Sequence, residues 1–179
     1  MTITTTQFVI AIVIALALAG VLAWIFLKQR MASKKAAAHQ PLGDAAAHND
    51  PATRQLQLAA YERLILLTDR IALNNLVQRV HQPDLNAREM QALLTTSIRQ
   101  EFEHNITQQI YVSPEAWDAV RNYKEQNLLI INQISSFLPA EASGSELVRH
   151  LLDLLVQNPQ ASLQNIVSDA LSYEAKKLM

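Results

Sequence analysis

Between Phe8 and Leu27 the chain runs FVIAIVIALALAGVLAWIFL, twenty consecutive residues with no charge and no strongly polar side chain. At 1.5 Å of rise per residue, a helix of that length spans about 30 Å, the thickness of a bilayer's hydrocarbon core. A soluble helix as long would normally show a polar face, and this run has none. Trp24 and Phe26 stand near one end, where aromatic side chains favour the membrane interface. Residues 1–31 are therefore read as an N-terminal transmembrane anchor lodged in the lipid bilayer through Phe8 to Leu27.

Charge sets the expected orientation. Lys28, Arg30, Lys34 and Lys35 follow the span at once, whereas MTITTTQ precedes it. Positive residues resist translocation, so the N-terminus is expected outside and the C-terminal side in the cytoplasm. Ala17-Leu18-Ala19 has the small-residue character of a signal-peptide cleavage site. The basic leader region is missing, however, and apolar residues continue past it, so an uncleaved single-pass anchor is the expectation. Ala11, Ala15, Ala19 and Ala23 recur every four residues and line one helix face, where a second transmembrane helix could pack closely.

Residues 32–51 read ASKKAAAHQPLGDAAAHNDP, an Ala-rich stretch broken by Pro41, Gly43 and Pro51, and are read as a flexible linker. The remainder, 52–179, is read as a cytoplasmic α-helical domain. Half of the chain is hydrophobic and 17% is charged, which argues against disorder. Gly is scarce, at three residues, and no segment alternates with period two, so the fold class is all-α: one transmembrane helix plus a soluble bundle of about five helices.

The first soluble helix is expected from Ala52 to Val80, with Leu64, Leu67 and Ile71 on one stripe and Leu73, Leu76, Val77 and Val80 widening it. Asn86 followed by Glu89 reads as a capping box, so the second helix starts near Ala87 and runs to about Ile110. Ser113-Pro114-Glu115 marks a third start, for a helix carrying Trp117, Val120, Leu128, Ile131 and Ile134 that stops before Pro139. Ser143 with Glu146 marks a fourth, holding Leu147, Leu151, Leu154 and Leu155. Asn158-Pro159 opens the last helix, with Leu163, Ile166, Val167, Ala170 and Leu171 on one face and Lys176 and Lys177 suiting its C-terminal dipole.

The second helix holds the densest polar text, RQEFEHNITQQ from Arg99 to Gln109. Its large apolar residues, Met90, Leu94, Ile98, Phe102, Ile106 and Ile110, are spaced by four, so the apolar seam winds about 40° per step and is one residue wide. Ile98, Glu101, Phe102, Asn105 and Gln109 on and beside that seam are the candidate interaction residues. The competing reading is a solvated face with local ionic and amide pairs. Glu101 and His104 also form a Glu-x-x-His spacing, as carboxylate-bridged di-iron bundles use. Those sites need the motif twice plus two further acids. Here Glu146 and His150 are four apart, and nothing in the spacing singles out Glu62 and Glu125 as the lone acids.

Several chemistries are excluded by what is missing. There is no Cys, hence no disulfide, thiol catalysis or thiolate metal site. The glycines stand alone at 20, 43 and 144, so no phosphate loop exists, and neither G-x-S-x-G nor H-E-x-x-H occurs. Beyond residue 51 there are 11 Lys/Arg against 14 Asp/Glu, about −3, which lacks the basic excess of a nucleic-acid binder. No enzyme activity and no cofactor are expected.

The segments YERLILLTDR, HQPDL and SIRQEFEHNITQQIYVSPEAWDAVRNYKEQ, from about Tyr61 to Glu125, resemble a family of short bacterial membrane-anchored proteins defined only as a domain of unknown function. The resemblance implies an N-terminal span, a helical domain and a Gram-negative inner-membrane setting, and supplies no catalytic or ligand residue. The function expected is that of a membrane-tethered helical interaction or scaffold module, an accessory subunit of an envelope complex that meets a protein partner or its own copies. The alternative is a metal-dependent redox or metal-sensing protein using Glu101 and His104.

Overall fold

A computed structural model describes residues 51–157 and 163–179. The anchor Phe8 to Leu27, its alanine face (Ala11, Ala15, Ala19, Ala23) and the linker as far as Asp50 lie outside the described residues. So does the Asn158-Pro159 start. Among the described helices none is long and apolar enough to cross a membrane.

Among the described residues the regular structure is all helical, with no strand. It forms α1 (Pro51–Arg70), α2 (Leu73–Val80), α3 (Ala87–His104), a 3₁₀ segment (Ile106–Ile110), α4 (Pro114–Phe137), α5 (Gly144–Gln157) and α6 (Gln164–Leu178). Three helix starts follow the capping chemistry of the sequence. Before α3, the Glu89 amide donates to Asn86 Oδ1 at 2.9 Å and the Asn86 amide donates to Glu89 Oε2 at 3.0 Å. Before α4, Ser113 Oγ accepts from the Ala116 amide at 3.0 Å. Before α5, Ser143 and Glu146 make the same reciprocal pair as Asn86 and Glu89. The α3 and α5 starts are then tied together by a short antiparallel bridge between Asn86 and Ser143. Ala87 donates to the Ala142 carbonyl at 2.9 Å and Gly144 to the Leu85 carbonyl at 2.8 Å. A Cβ on Gly144 would lie 2.8 Å from the Leu85 oxygen, so this close approach needs glycine.

Two elements differ from the sequence reading. The expected helix 52–80 is two helices, because the chain leaves α geometry at Ile71 and Ala72, where Ala72 is extended at φ −59° and ψ 129°. Three successive carbonyls at this break, those of Asp69, Arg70 and Ile71, are taken up by other donors. Ala72 N–H and the Asn75 side chain donate to the Asp69 carbonyl, and Arg79 donates to that of Arg70. Asn127 Nδ2, from the middle of α4 and 2% exposed, donates to the Ile71 carbonyl at 2.8 Å. The expected helix 87–110 likewise ends at His104. Asn105 turns its side-chain amide back onto the Glu101 carbonyl at 2.8 Å, and the chain tightens into the 3₁₀ segment. A 3₁₀ turn has 3.0 residues, so the four-residue seam loses phase there. Met90, Leu94, Ile98 and Phe102 are buried, whereas Ile106 and Ile110 are exposed.

α6 lies antiparallel along α1, fixed by Tyr61 with Glu174 at one end and Asp69 with Gln164 at the other. α3 packs on α4 and α5, and α6 also meets α4. One continuous core results, centred on Leu64, Leu67, Ile71, Leu94, Ile98 and Ile131. Of the face expected on α6, Val167 and Leu171 enter this core, but Ile166 and Ala170 point outward. α6 packs on its two neighbours through a narrower stripe than the hydrophobic pattern suggested.

Replacing Asn127 with Ala leaves the Ile71 carbonyl buried without its donor. The full-length N127A protein in detergent should lose about 1–3 kcal/mol of stability against denaturant. An unchanged midpoint would show that the break holds without that amide.

Candidate functional site

The break between α1 and α2 has a geometric consequence. In one uninterrupted helix Arg70 and Arg79, nine residues apart, would be separated by about 14 Å and half a turn of rotation. With the break, both reach the same carboxylate. Glu101, near the end of α3, accepts from Arg70 Nε at 2.9 Å and from Arg70 Nη2 at 2.5 Å in a bidentate pair. Arg79 Nη1 stands 3.2 Å from the same Glu101 Oε1. Arg79 Nη2 also donates to the Arg70 carbonyl at 3.3 Å, so its guanidinium is held at two points. These side chains, with Val80, Ser97, Gln100 and His104, line an open depression of about 450 Å³.

The electrostatics follow from this arrangement. The hydrogen bond from Arg70 holds the Glu101 carboxyl below the usual carboxylate range. Partial burial opposes this, and the charges of Arg70, Arg79 and His104 add to it. The two arginines and one carboxylate together carry one net positive charge. Arginine does not titrate at physiological pH, so the arrangement holds charge and donates hydrogen bonds rather than moving protons.

The five residues singled out on the seam do not form one surface. Ile98 and Phe102 are core side chains, Phe102 stacking at 5.0 Å on Trp117 with Lys124 Nζ 4.4 Å from its ring centre. Asn105 is buried and committed to ending α3. Glu101 is half-buried in its ion pairs, and only Gln109 is freely exposed, on the 3₁₀ segment. Among the described residues no three His, Asp or Glu side chains gather as metal ligands. Glu101 and His104 are a two-donor set whose carboxylate already faces two guanidiniums.

Two groups escaped the sequence reading. Arg70 and Arg79 both fall within the expected helix 52–80, along which they cannot converge. The second group is a network at the other end of α1. Glu174 Oε2 accepts from Tyr61 Oη at 2.6 Å and from Ser113 Oγ at 2.5 Å, and the Ser113 amide donates to Tyr61 Oη at 3.2 Å. Burial, with the hydrogen bond to Glu174, raises the Tyr61 hydroxyl above its ordinary pKa. The network ties α6 to α1 and to the cap of α4. No spacing in the sequence links residues so far apart.

A family model described as "Family of unknown function (DUF7935)" matches residues 4–178, and the chain belongs to that family. The match extends on both sides of the Tyr61 to Glu125 stretch that carried the resemblance. No curated protein and no solved structure matches the chain.

Because its folded pKa is depressed, Glu101 contributes stability that is complete above the unfolded carboxylate value, about 4.3, and is lost as pH falls through the folded value. E101Q should therefore be less stable than wild type at neutral pH by about 1 kcal/mol, since the pair is partly solvated. The gap should close on acidification below about pH 4. Parallel pH–stability curves for the two proteins would refute this linkage.

Proposed function

We propose that this member of the family is a membrane-tethered helical interaction module, an accessory subunit of a bacterial envelope complex. In this reading Phe8 to Leu27 anchors it in the inner membrane and the helical domain stands in the cytoplasm. The observation that carries the interaction reading is the exposure of large aliphatic side chains beside well-packed ones. Ile106 is 44% exposed and Ile110 72% exposed on the 3₁₀ segment, and Leu66 is 62% exposed on α1. Leu66 lies one turn before Arg70 on the side of α1 that turns toward α3, and the 3₁₀ segment packs against α1. Where exposed aliphatic groups adjoin in a patch they mark contact surfaces.

The occupant inferred is a protein. The domain's acidic balance of about −3 disfavours an anionic leaflet, whose negative potential attracts basic segments instead. The polar residues of both clusters are engaged within the fold: Glu101 in ion pairs, Asn105 in ending a helix, Glu174 in joining three elements. This leaves binding rather than turnover as the reading with most support.

Two experiments test the proposal. The chain has no cysteine, so single cysteines report topology without background. In intact cells with a permeabilised outer membrane, T4C should react with a membrane-impermeant maleimide and D169C only after lysis. The reverse pattern would overturn the orientation. A photocrosslinker placed at Ile110 in native membranes should yield one discrete protein adduct, diminished by Ile106→Ser. An adduct with a second copy would make the module a homo-oligomer, whereas lipid adducts alone would sink the interaction reading.

A further inference from the structure

We propose that Arg70 and Arg79, aligned by Glu101, form a binding site for a phosphate monoester dianion. This inference does not rest on the interaction reading. It begins with an imbalance of charge. One carboxylate faces two permanent cations, in a domain whose overall balance is acidic. The remaining polar groups of the depression, Ser97, Gln100 and His104, all supply an N–H or O–H donor, and Val80 is its one apolar member. A surface that offers these donors beside an excess of guanidinium charge suits an anion.

The arginines are also held in advance of a ligand. Arg70 spends Nε and Nη2 on Glu101, and Arg79 uses Nη1 on Glu101 and Nη2 on the Arg70 carbonyl. A guanidinium has five N–H groups, so each retains donors for a further acceptor. Fixing both side chains through Glu101 removes much of the entropy lost when a free arginine closes on a ligand. Two forks from different helices suit an acceptor with several charged oxygens, as a tetrahedral phosphate has, better than a planar carboxylate already provided by Glu101. The depression, about 450 Å³ and open to solvent, leaves room for the ester's organic group. Such a phosphate could belong to a soluble ester or to the headgroup of phosphatidic acid.

The test uses the full-length protein in phosphatidylcholine nanodiscs, with the guanidinium Nε resonances of Arg70 and Arg79 followed by NMR. Inorganic phosphate, titrated at constant ionic strength against chloride, should move both resonances saturably. R79Q should weaken the effect on Arg70 by about tenfold. If R79Q does not fold, R79K serves, since lysine keeps the charge but loses the fork, and the weakening should persist. For the lipid source, nanodiscs containing phosphatidic acid should shift the same resonances without added phosphate. A response to phosphate but not to that lipid assigns the site to soluble esters. Unmoved wild-type resonances under both probes, an equal response to chloride, or an unchanged response in R79Q would overturn the proposal.

Discussion

Between Arg70 and Leu73 the chain abandons the α-helical ladder, and three carbonyls in succession need new donors. Asp69, Arg70 and Ile71 find them in the Ala72 amide and Asn75, in Arg79, and in Asn127. Only the last lies deep in the core, where no water could substitute. A buried carbonyl left without a donor costs about 1–3 kcal/mol, so α4 must present Asn127 where α1 ends. The bundle is thereby locked in register at one atom pair. α1 can then continue along α6 while α2 turns away to meet α3 and α5.

The parts of this architecture written in short-range chemistry were legible in the sequence. A helix cap involves residues three apart, so Asn86 with Glu89, Ser113 before Pro114, and Ser143 with Glu146 could be read directly, and each sits where a helix starts. The stripe of Leu64, Leu67 and Ile71 was legible for the same reason. The break at Ala72 was not. It contains neither glycine nor proline, and apolar residues continue on both sides of it. What stabilises it is a side chain 56 residues away. Likewise the spacing of four from Met90 to Ile110 holds the seam on α3 only as far as Phe102. Asn105 then ends the helix through a hydrogen bond to its own fourth predecessor, an option that asparagine has and hydrophobic patterning does not register.

The same distinction applies to the site. Glu101, Asn105 and His104 stood out because they are polar and adjacent, yet adjacency along a helix says nothing of which neighbours lie across from it. Asn105 serves the backbone, Phe102 serves the core, and Glu101 acquires its character from Arg70 and Arg79, which local pattern could not bring together. The aliphatic residues carried off the seam by the 3₁₀ turn, Ile106 and Ile110, are exposed at the surface.

A last step concerns why two arginines should share one acid. The Arg70 side chain is 52% exposed, so its ion pair with Glu101 belongs to the class of solvated pairs worth at most about 1 kcal/mol. Joining α1 to α3 would need only that pair. Adding Arg79, 3.2 Å from the same carboxylate, brings a second cation beside the first and leaves the cluster with one more positive charge than negative. The α2 helix is already anchored by Leu73, Leu76 and Val77 in the core, so the second arginine is not needed to hold it there. A cationic excess maintained at a solvent-open depression, in a domain otherwise acidic, is better accounted for by an anion that completes the charge than by the stability of the fold alone.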